Sequence, residues 1–366
     1  MENKRIAIYL GHPAHFHLFK NVIRTLRQKH EVNILIKKKD VLENLLQKYG
    51  FLYNNILKKG RKDTKLGILW GLVKRSLRLF VYCVNHRPNL LIGTSVENSL
   101  IGFILGIPVV NVNEDDAAVV PLYAKLSYPG ATIILAPYVC NCGKWEYKTI
   151  KYHSYHELAY LHPNHFTPDF SIVQRYLATD KPYYIIRFAK LSAHHDSGIK
   201  GIDNEIANQI IQILKPHGNI YITSERALGP QFEPYRMHID PIDMHHVMAF
   251  ADIYIGDSQT MAAEAGVLGV PFIRYNDFVG RIGYLRELED NYNLGFGIKS
   301  GQEEVLMQTL KNLLHMSNRK EVFQERRKKM LDDKIDYAKF LTWFIANFPK
   351  SKQIMKDNPE YQYNFK

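Results

Sequence analysis

The chain has 366 residues, 46% of them hydrophobic, more than one ordinary core supports, which sets an expectation of two domains. Its formal charge of +12 is uneven: residues 1–180 hold 24 Lys and Arg against 13 Asp and Glu, and residues 181–366 hold 24 against 23, so the first half alone carries a basic field. Three cysteines, Cys83, Cys140 and Cys142, with no Cys-x-x-Cys pair, support neither a disulfide framework nor a zinc site and point to a reducing cytoplasm.

The first apolar run, Ile6–Leu10, is too short for a signal-peptide core and reads as a strand. The loop Gly11-His12-Pro13-Ala14-His15-Phe16-His17 follows, before a helix expected from near Leu18. Three histidines stand within six residues, but no Cys or acidic residue is near, so loop packing or helix capping competes with metal binding and is preferred to it. Residues 65–82 are apolar but contain Lys74, Arg75 and Arg78 on one helical side, which excludes a spanning helix and leaves a core helix with a basic face or an interfacial helix. Strand-like runs continue at Val32–Ile36, Leu90–Gly93, Pro108–Asn111 and Ile133–Ala136. After the fourth of these five come Asn113-Glu114-Asp115-Asp116, either placed carboxylates or an acidic cap for the next helix.

A stretch rich in Pro and His sets a domain boundary near residues 166–181, and a second series of strands begins: Tyr183–Phe188, Asn219–Thr223, Ile253–Gly256 and Pro271–Tyr275. Arg187 ends the first, and with His194, His195 and Asp196 it can reach a diphosphate or serve as an ion-pair partner. Ser224 and Glu225 hold the equivalent place on the second strand. Asp243 is an expected N-cap before His245 and His246. Past Gln302 the chain reads as helix, with Glu325-Arg326-Arg327-Lys328-Lys329 as a solvated face.

Residues 254–275 carry the sharpest signal. The run Ile253–Gly256 reads as a buried strand, Asp257-Ser258-Gln259-Thr260 as the turn at its carboxyl end and Met261–Leu268 as a helix closed by Gly269-Val270-Pro271. Ser258 or Thr260 is an N-cap, and the free N–H groups there suit a phosphate. Glu264, one turn further on the same face, can accept hydrogen bonds from ribose hydroxyls. An ordinary capped helix with a solvent-facing Glu is the alternative.

This Ser-x-Thr-x-x-x-Glu-Ala-x-x-x-Gly-x-Pro segment resembles the donor-binding segment of GT-B-fold glycosyltransferases and of the related non-hydrolysing UDP-N-acetylglucosamine 2-epimerases. The closest resemblance is to a GT-B-like branch catalogued as a domain of unknown function, through GHPAHFH, YHSYHELAYLHPNHFTPD, IIRFAKLSAHHDSGIKG, ITSE, the segment just described and LRELEDNYNLG. It implies an α/β, GT-B-like fold: two facing Rossmann-like domains with parallel sheets, residues 1–168 on the acceptor side, residues 169–334 on the nucleotide-sugar side, and a C-terminal helix (about 335–366) packing back on the first domain. It further implies catalytic roles for His15 and then His12 as base, acid/base roles for Glu114 and Asp116, and nucleotide-sugar binding by Arg187, Ser224, Glu225, His245, Ser258, Gln259, Thr260 and Glu264. The epimerase form at the acidic loop resembles His-x-Glu-Ala-Gly, and this chain has neither its His nor its Gly.

Together these readings predict a metal-independent glycosyltransferase of surface polysaccharide or glycolipid synthesis. It would use a nucleotide sugar, a UDP-sugar first, as co-substrate with no other cofactor, and act on a glycan or lipid-linked acceptor. Nucleic acid is not an expected partner. The expected location is cytoplasmic, peripheral on the inner face of the membrane through residues 65–82. The alternatives are a UDP-sugar 2-epimerase and a non-catalytic nucleotide-sugar-binding subunit.

Overall fold

A computed structural model describes residues 3–37, 40–57, 65–190 and 200–366. The chain forms two compact units, one of Met1–Tyr160 with Ile335–Lys366 and the other of Leu161–Lys334.

Unit 1 is built on seven parallel strands: β1 (Arg5–Leu10), β2 (Glu31–Lys37), β3 (Asn54–Leu57), β4 (Leu90–Gly93), β5 (Val109–Val112), β6 (Ile133–Pro137) and β7 (Thr149–Tyr152). Their order is β3-β2-β1-β4-β5-β6-β7, so the chain moves outward from β1 and then returns to its other side. Unit 2 repeats the device with β8 (Tyr183–Phe188), β9 (Asn219–Ser224), β10 (Ile253–Gly256), β11 (Phe272–Tyr275) and β12 (Gly295–Ile298), in the order β12-β11-β10-β8-β9. Each sheet thus has one point where the winding reverses, between β1 and β4 and between β8 and β10. In open parallel sheets the crevice beyond the carboxyl ends of the strands at that point is where ligands bind.

Every strand expected from the sequence is present within two residues at either end. The three without an expectation, β3, β7 and β12, are all sheet edges. Central strands are covered on both faces and read as unbroken apolar runs; edge strands are not. Ala7, Tyr9, Leu35 and Leu91 pack against Leu79, Tyr82 and Cys83 of the helix Lys65–His86 and against Ile101 of the helix Val96–Leu105. Each such large side chain contributes roughly 1.5–3 kcal/mol by burial. Helix Lys65–His86 does not present Lys74, Arg75 and Arg78 all on one side, as its sequence suggested. Arg75 is buried in an ion pair with Glu97 of the neighbouring helix, while Lys74 and Arg78 stay outward. The reason is local: Glu97 is buried and needs a cation.

The C-terminal segment belongs to unit 1. Ile335 N donates to His153 O (3.0 Å), Ser154 Oγ to Ile335 O (2.7 Å) and His153 N to Gln362 Oε1 (2.7 Å), while helix Tyr337–Ala346 packs on helix Pro13–Leu26. Among the described residues no helix is long and apolar enough to cross a membrane. All three cysteines are buried and free; burial pushes the Cys83 thiol up to about 12.

Candidate functional site

In unit 2 the candidate residues gather where β8 and β10 diverge. Gly256 and Arg187 are register partners on these strands. A Cβ on Gly256 would stand 2.8 Å from Arg187 Cβ and 2.7 Å from Tyr254 Oη, so only glycine lets the arginine lie there. Arg187 Nη1 donates to Thr223 Oγ1 (2.8 Å), and Nη2 forms an ion pair with Glu225. Ser224 closes a local turn, its Oγ donating to Arg226 O (2.7 Å) and accepting from Arg226 N (3.1 Å).

Asp257 follows, fully buried. Its two oxygens accept from Ala189 N (2.6 Å) and Ile202 N (3.2 Å), fastening both ends of the segment after β8. Burial pushes its carboxyl up to about 6, against the backbone hydrogen bonds that favour the ion. The sequence reading treated Asp257 as a turn residue and missed this clamp. His194, His195 and Asp196, within that segment, lie outside the described residues.

Ser258 is the N-cap of helix Gln259–Val267, extended at φ −88°, with Oγ accepting from Met261 N at 3.4 Å. The helix begins two residues earlier than expected, so Gln259 and Thr260 form its first turn and Thr260 caps nothing. Helix starts leave N–H groups without intrahelical partners and carry the positive end of the dipole. At the other end Gly269 takes φ +76°, a left-handed conformation suited to glycine, and Arg327 Nε donates to Val267 O (2.8 Å) while Gln324 Nε2 donates to Leu268 O (3.0 Å). The charge run containing Arg327 is therefore not purely a solvated face; part of it satisfies the carbonyls that end this helix.

Glu264 does not face solvent. It is 5% exposed, and its Oε1 lies 3.0 Å from His245 Nε2. The short helix Met244–Ala249 that carries His245 turns His246 elsewhere, where its Nδ1 accepts from Asp169 N (3.0 Å). Phe166 packs edge-on to His245. Asp243 precedes that helix without capping it by its side chain; Tyr176 Oη donates to it instead (2.7 Å).

In unit 1 the first loop is already helix. Helix Pro13–Leu26 begins five residues before the expected start, with Pro13 at its first position and His12 as N-cap, Nδ1 accepting from Ala14 N at 3.2 Å. His15 Nδ1 accepts from Gly11 N at 3.2 Å. In the neutral rings these bonds leave the proton on Nε2, so each imidazole presents a donor there.

At the carboxyl ends of β5 and β7 a second carboxylate meets an imidazole: Glu114 Oε2 lies 3.2 Å from His156 Nδ1. His156 is buried, stacked on Tyr337, and desolvation holds its pKa down at about 3, so the ring stays neutral beside the carboxylate. Its Nε2 meets no hydrogen-bond partner among the described residues. The sequence reading did not single out His156. Asp116 Oδ1 accepts from Asn141 N (2.8 Å) and so holds a neighbouring loop. The acids do not cap the next helix, which starts at Pro121 behind Val120 with no side-chain cap. Among the described residues no group of three or more His, Cys, Asp or Glu side chains is placed to hold a metal ion.

The two reversing parallel sheets and the C-terminal helix returned to unit 1 define a GT-B-like α/β fold, shared with glycosyltransferases and UDP-GlcNAc 2-epimerases. The chain belongs to the family described as "Protein of unknown function (DUF354)", whose model matches residues 5–286. Similar solved structures include the S. aureus MnaA–UDP co-structure (12% identity, TM-score 0.69, 96% of this chain and 97% of that one). Another is UDP-GlcNAc 2-epimerase from Neisseria meningitidis bound to UDP-GlcNAc (14%, 0.63, 93% and 99%). A third is the spinosyn rhamnosyltransferase SpnG complexed with spinosyn aglycone (15%, 0.59, 93% and 99%). No curated protein matches the sequence.

Proposed function

We propose that unit 2 binds the nucleoside diphosphate of a nucleotide sugar, a UDP-sugar first, and that the protein transfers the sugar to a glycan or lipid-linked acceptor. The observation that carries this reading is the helix Gln259–Val267 at the β8/β10 reversal, capped by Ser258 and bearing the buried Glu264 fixed by His245. The diphosphate rests on the helix start, contacted by Ser258, Gln259 and Thr260, and Glu264 accepts from ribose hydroxyls. Arg187 adds positive charge, with Ser224 and Glu225 beside it at the end of β9. Similar structures solved with UDP and with UDP-GlcNAc support the choice of base.

In unit 1 the base is Glu114, oriented by the neutral His156. It takes the proton of an acceptor hydroxyl, whose oxygen attacks the anomeric carbon as the bond to the diphosphate breaks. His15 and His12, each with its proton on Nε2, act as donors to developing negative charge rather than as bases. Asp116 holds the loop. The helix dipole and Arg187 take up the charge of the leaving group.

A second reading, 2-epimerisation, is favoured by the same Glu114–His156 contact, since a carboxylate beside a neutral imidazole is suited to moving a proton at a sugar carbon. One experiment separates them: the purified chain with a panel of nucleotide sugars in D2O, with and without cell-envelope lipid extract. Transfer requires nucleoside diphosphate release that depends on the extract. Deuterium entering the sugar without release means epimerisation. Nucleotide binding with neither outcome would overturn both and leave a binding subunit.

A further inference from the structure

Three successive helices of unit 1, Lys65–His86, Val96–Leu105 and Pro121–Ser127, pack side by side. Their inner faces cover the sheet, but their outer faces are not polar. The first exposes Trp70, Val73, Leu77 and Val81, spaced three and four residues apart as one stripe, with Trp70 60% and Leu77 61% exposed. The second adds Phe103, 74% exposed, and Ile104; the third adds Leu122 and Leu126. An apolar area spread over three adjacent helices exceeds the scattered exposure usual on a monomer and marks an interaction surface.

The charges around it select the occupant. Among the side chains described on these helices, the exposed ionisable groups are Lys74, Arg78, His86 and Lys125, and Lys74 lies over the Trp70 ring. Their one carboxylate, Glu97, is buried against Arg75. Among their described residues no carboxylate is exposed. A second copy meeting this face through a two-fold axis would set cations against cations with nothing to neutralise them. An anionic lipid surface supplies both what the apolar stripe and what the cations need.

We infer that this three-helix face docks unit 1 onto an anionic lipid bilayer, Trp70 and Phe103 entering the interface and Lys74 and Lys125 meeting headgroup phosphates. The surface is independent of the nucleotide reading, and its test uses no nucleotide. The full chain is mixed with phosphatidylcholine vesicles with and without phosphatidylglycerol, and binding is read by flotation and by Trp fluorescence. Binding is expected only to the anionic vesicles, with a blue shift that Trp70→Phe removes. Neutralising two cations, Lys74→Gln with Lys125→Gln, lowers affinity by roughly 30-fold, at about 1 kcal/mol per cation. Leu77→Asp with Phe103→Asp abolishes binding while circular dichroism shows the fold intact. Three results overturn the inference: no binding of the wild type to anionic vesicles, equal binding by these variants, or a concentration-dependent dimer that the Leu77 and Phe103 changes dissolve.

Discussion

In each unit a carboxylate lies against a buried imidazole, and the two pairs are built differently. In unit 2, Glu264 and His245 come from consecutive helices on either side of β10, 3.0 Å apart, with both side chains almost wholly covered. In unit 1, Glu114 and His156 come from loops beyond β5 and β7, 3.2 Å apart, under a stack of Tyr152 and Tyr337 rings. The first carboxylate is locked on a helix beside a phosphate-ready helix start, which suits holding a ligand. The second sits on a loop beside a neutral ring with an open nitrogen, which suits moving a proton. The proposed function assigns the same pair of side chains to binding in one unit and to chemistry in the other, according to what carries them.

The comparison breaks most readily at Glu114. Glu114→Gln keeps shape and removes the proposed base, so turnover should fall about 10²–10⁴-fold with nucleotide affinity unchanged; equal loss of both in steady-state kinetics would erase the distinction. His245→Ala removes the imidazole 3.0 Å from the buried Glu264 and should destabilise the protein by about 1–3 kcal/mol, read as a lowered melting temperature, with His245→Gln recovering part of it.

Acid pH distinguishes the units further. His156 has its pKa depressed to about 3, so the unfolded chain binds the proton first; this contribution is complete above about pH 6.5 and is lost as pH falls toward 3. Asp257 is raised to about 6, so its contribution has the opposite sign, full below about pH 3.9 and lost as pH rises through 6. His156→Gln should therefore flatten the acid limb of melting temperature against pH, and Asp257→Asn should steepen the gain in stability between pH 4 and 6. Parallel curves for wild type and both variants would show that neither group titrates as its burial requires. The smallest effect belongs to Ser258→Ala, which removes one cap and lowers stability by about 1 kcal/mol; a much larger loss in chemical denaturation would mean Ser258 does more than cap.

How much of this was legible follows from where the signals sit in the chain. Central strands such as Ile6–Leu10 and Ile253–Gly256 announce themselves as apolar runs between turn residues. Three of the four edges do not: among them Asn54-Asn55-Ile56-Leu57 and Gly295-Phe296-Gly297-Ile298 lack a continuous run because only part of each is covered. Ser258 and Glu264 were legible together because one helix fixes their spacing. Glu114 and His156 were not, since 42 positions separate them and only the placement of β5 and β7 in one sheet brings them together. Asp257 reads as a turn residue until its two backbone partners, Ala189 and Ile202, are known. The early helix start at Pro13 had a signal that went unused, a proline where the first helical N–H would be unpaired anyway.

The central claim, that the Ser258–Glu264 helix holds a nucleoside diphosphate while Glu114 does not, is tested most directly by calorimetric titration of UDP into the wild type, Glu264→Gln and Glu114→Gln. The prediction is binding to the wild type and to Glu114→Gln with the same affinity, and a loss of about 10- to 100-fold in Glu264→Gln, the worth of a charge-assisted hydrogen bond. UDP binding untouched by Glu264→Gln, or lost in Glu114→Gln, would contradict it.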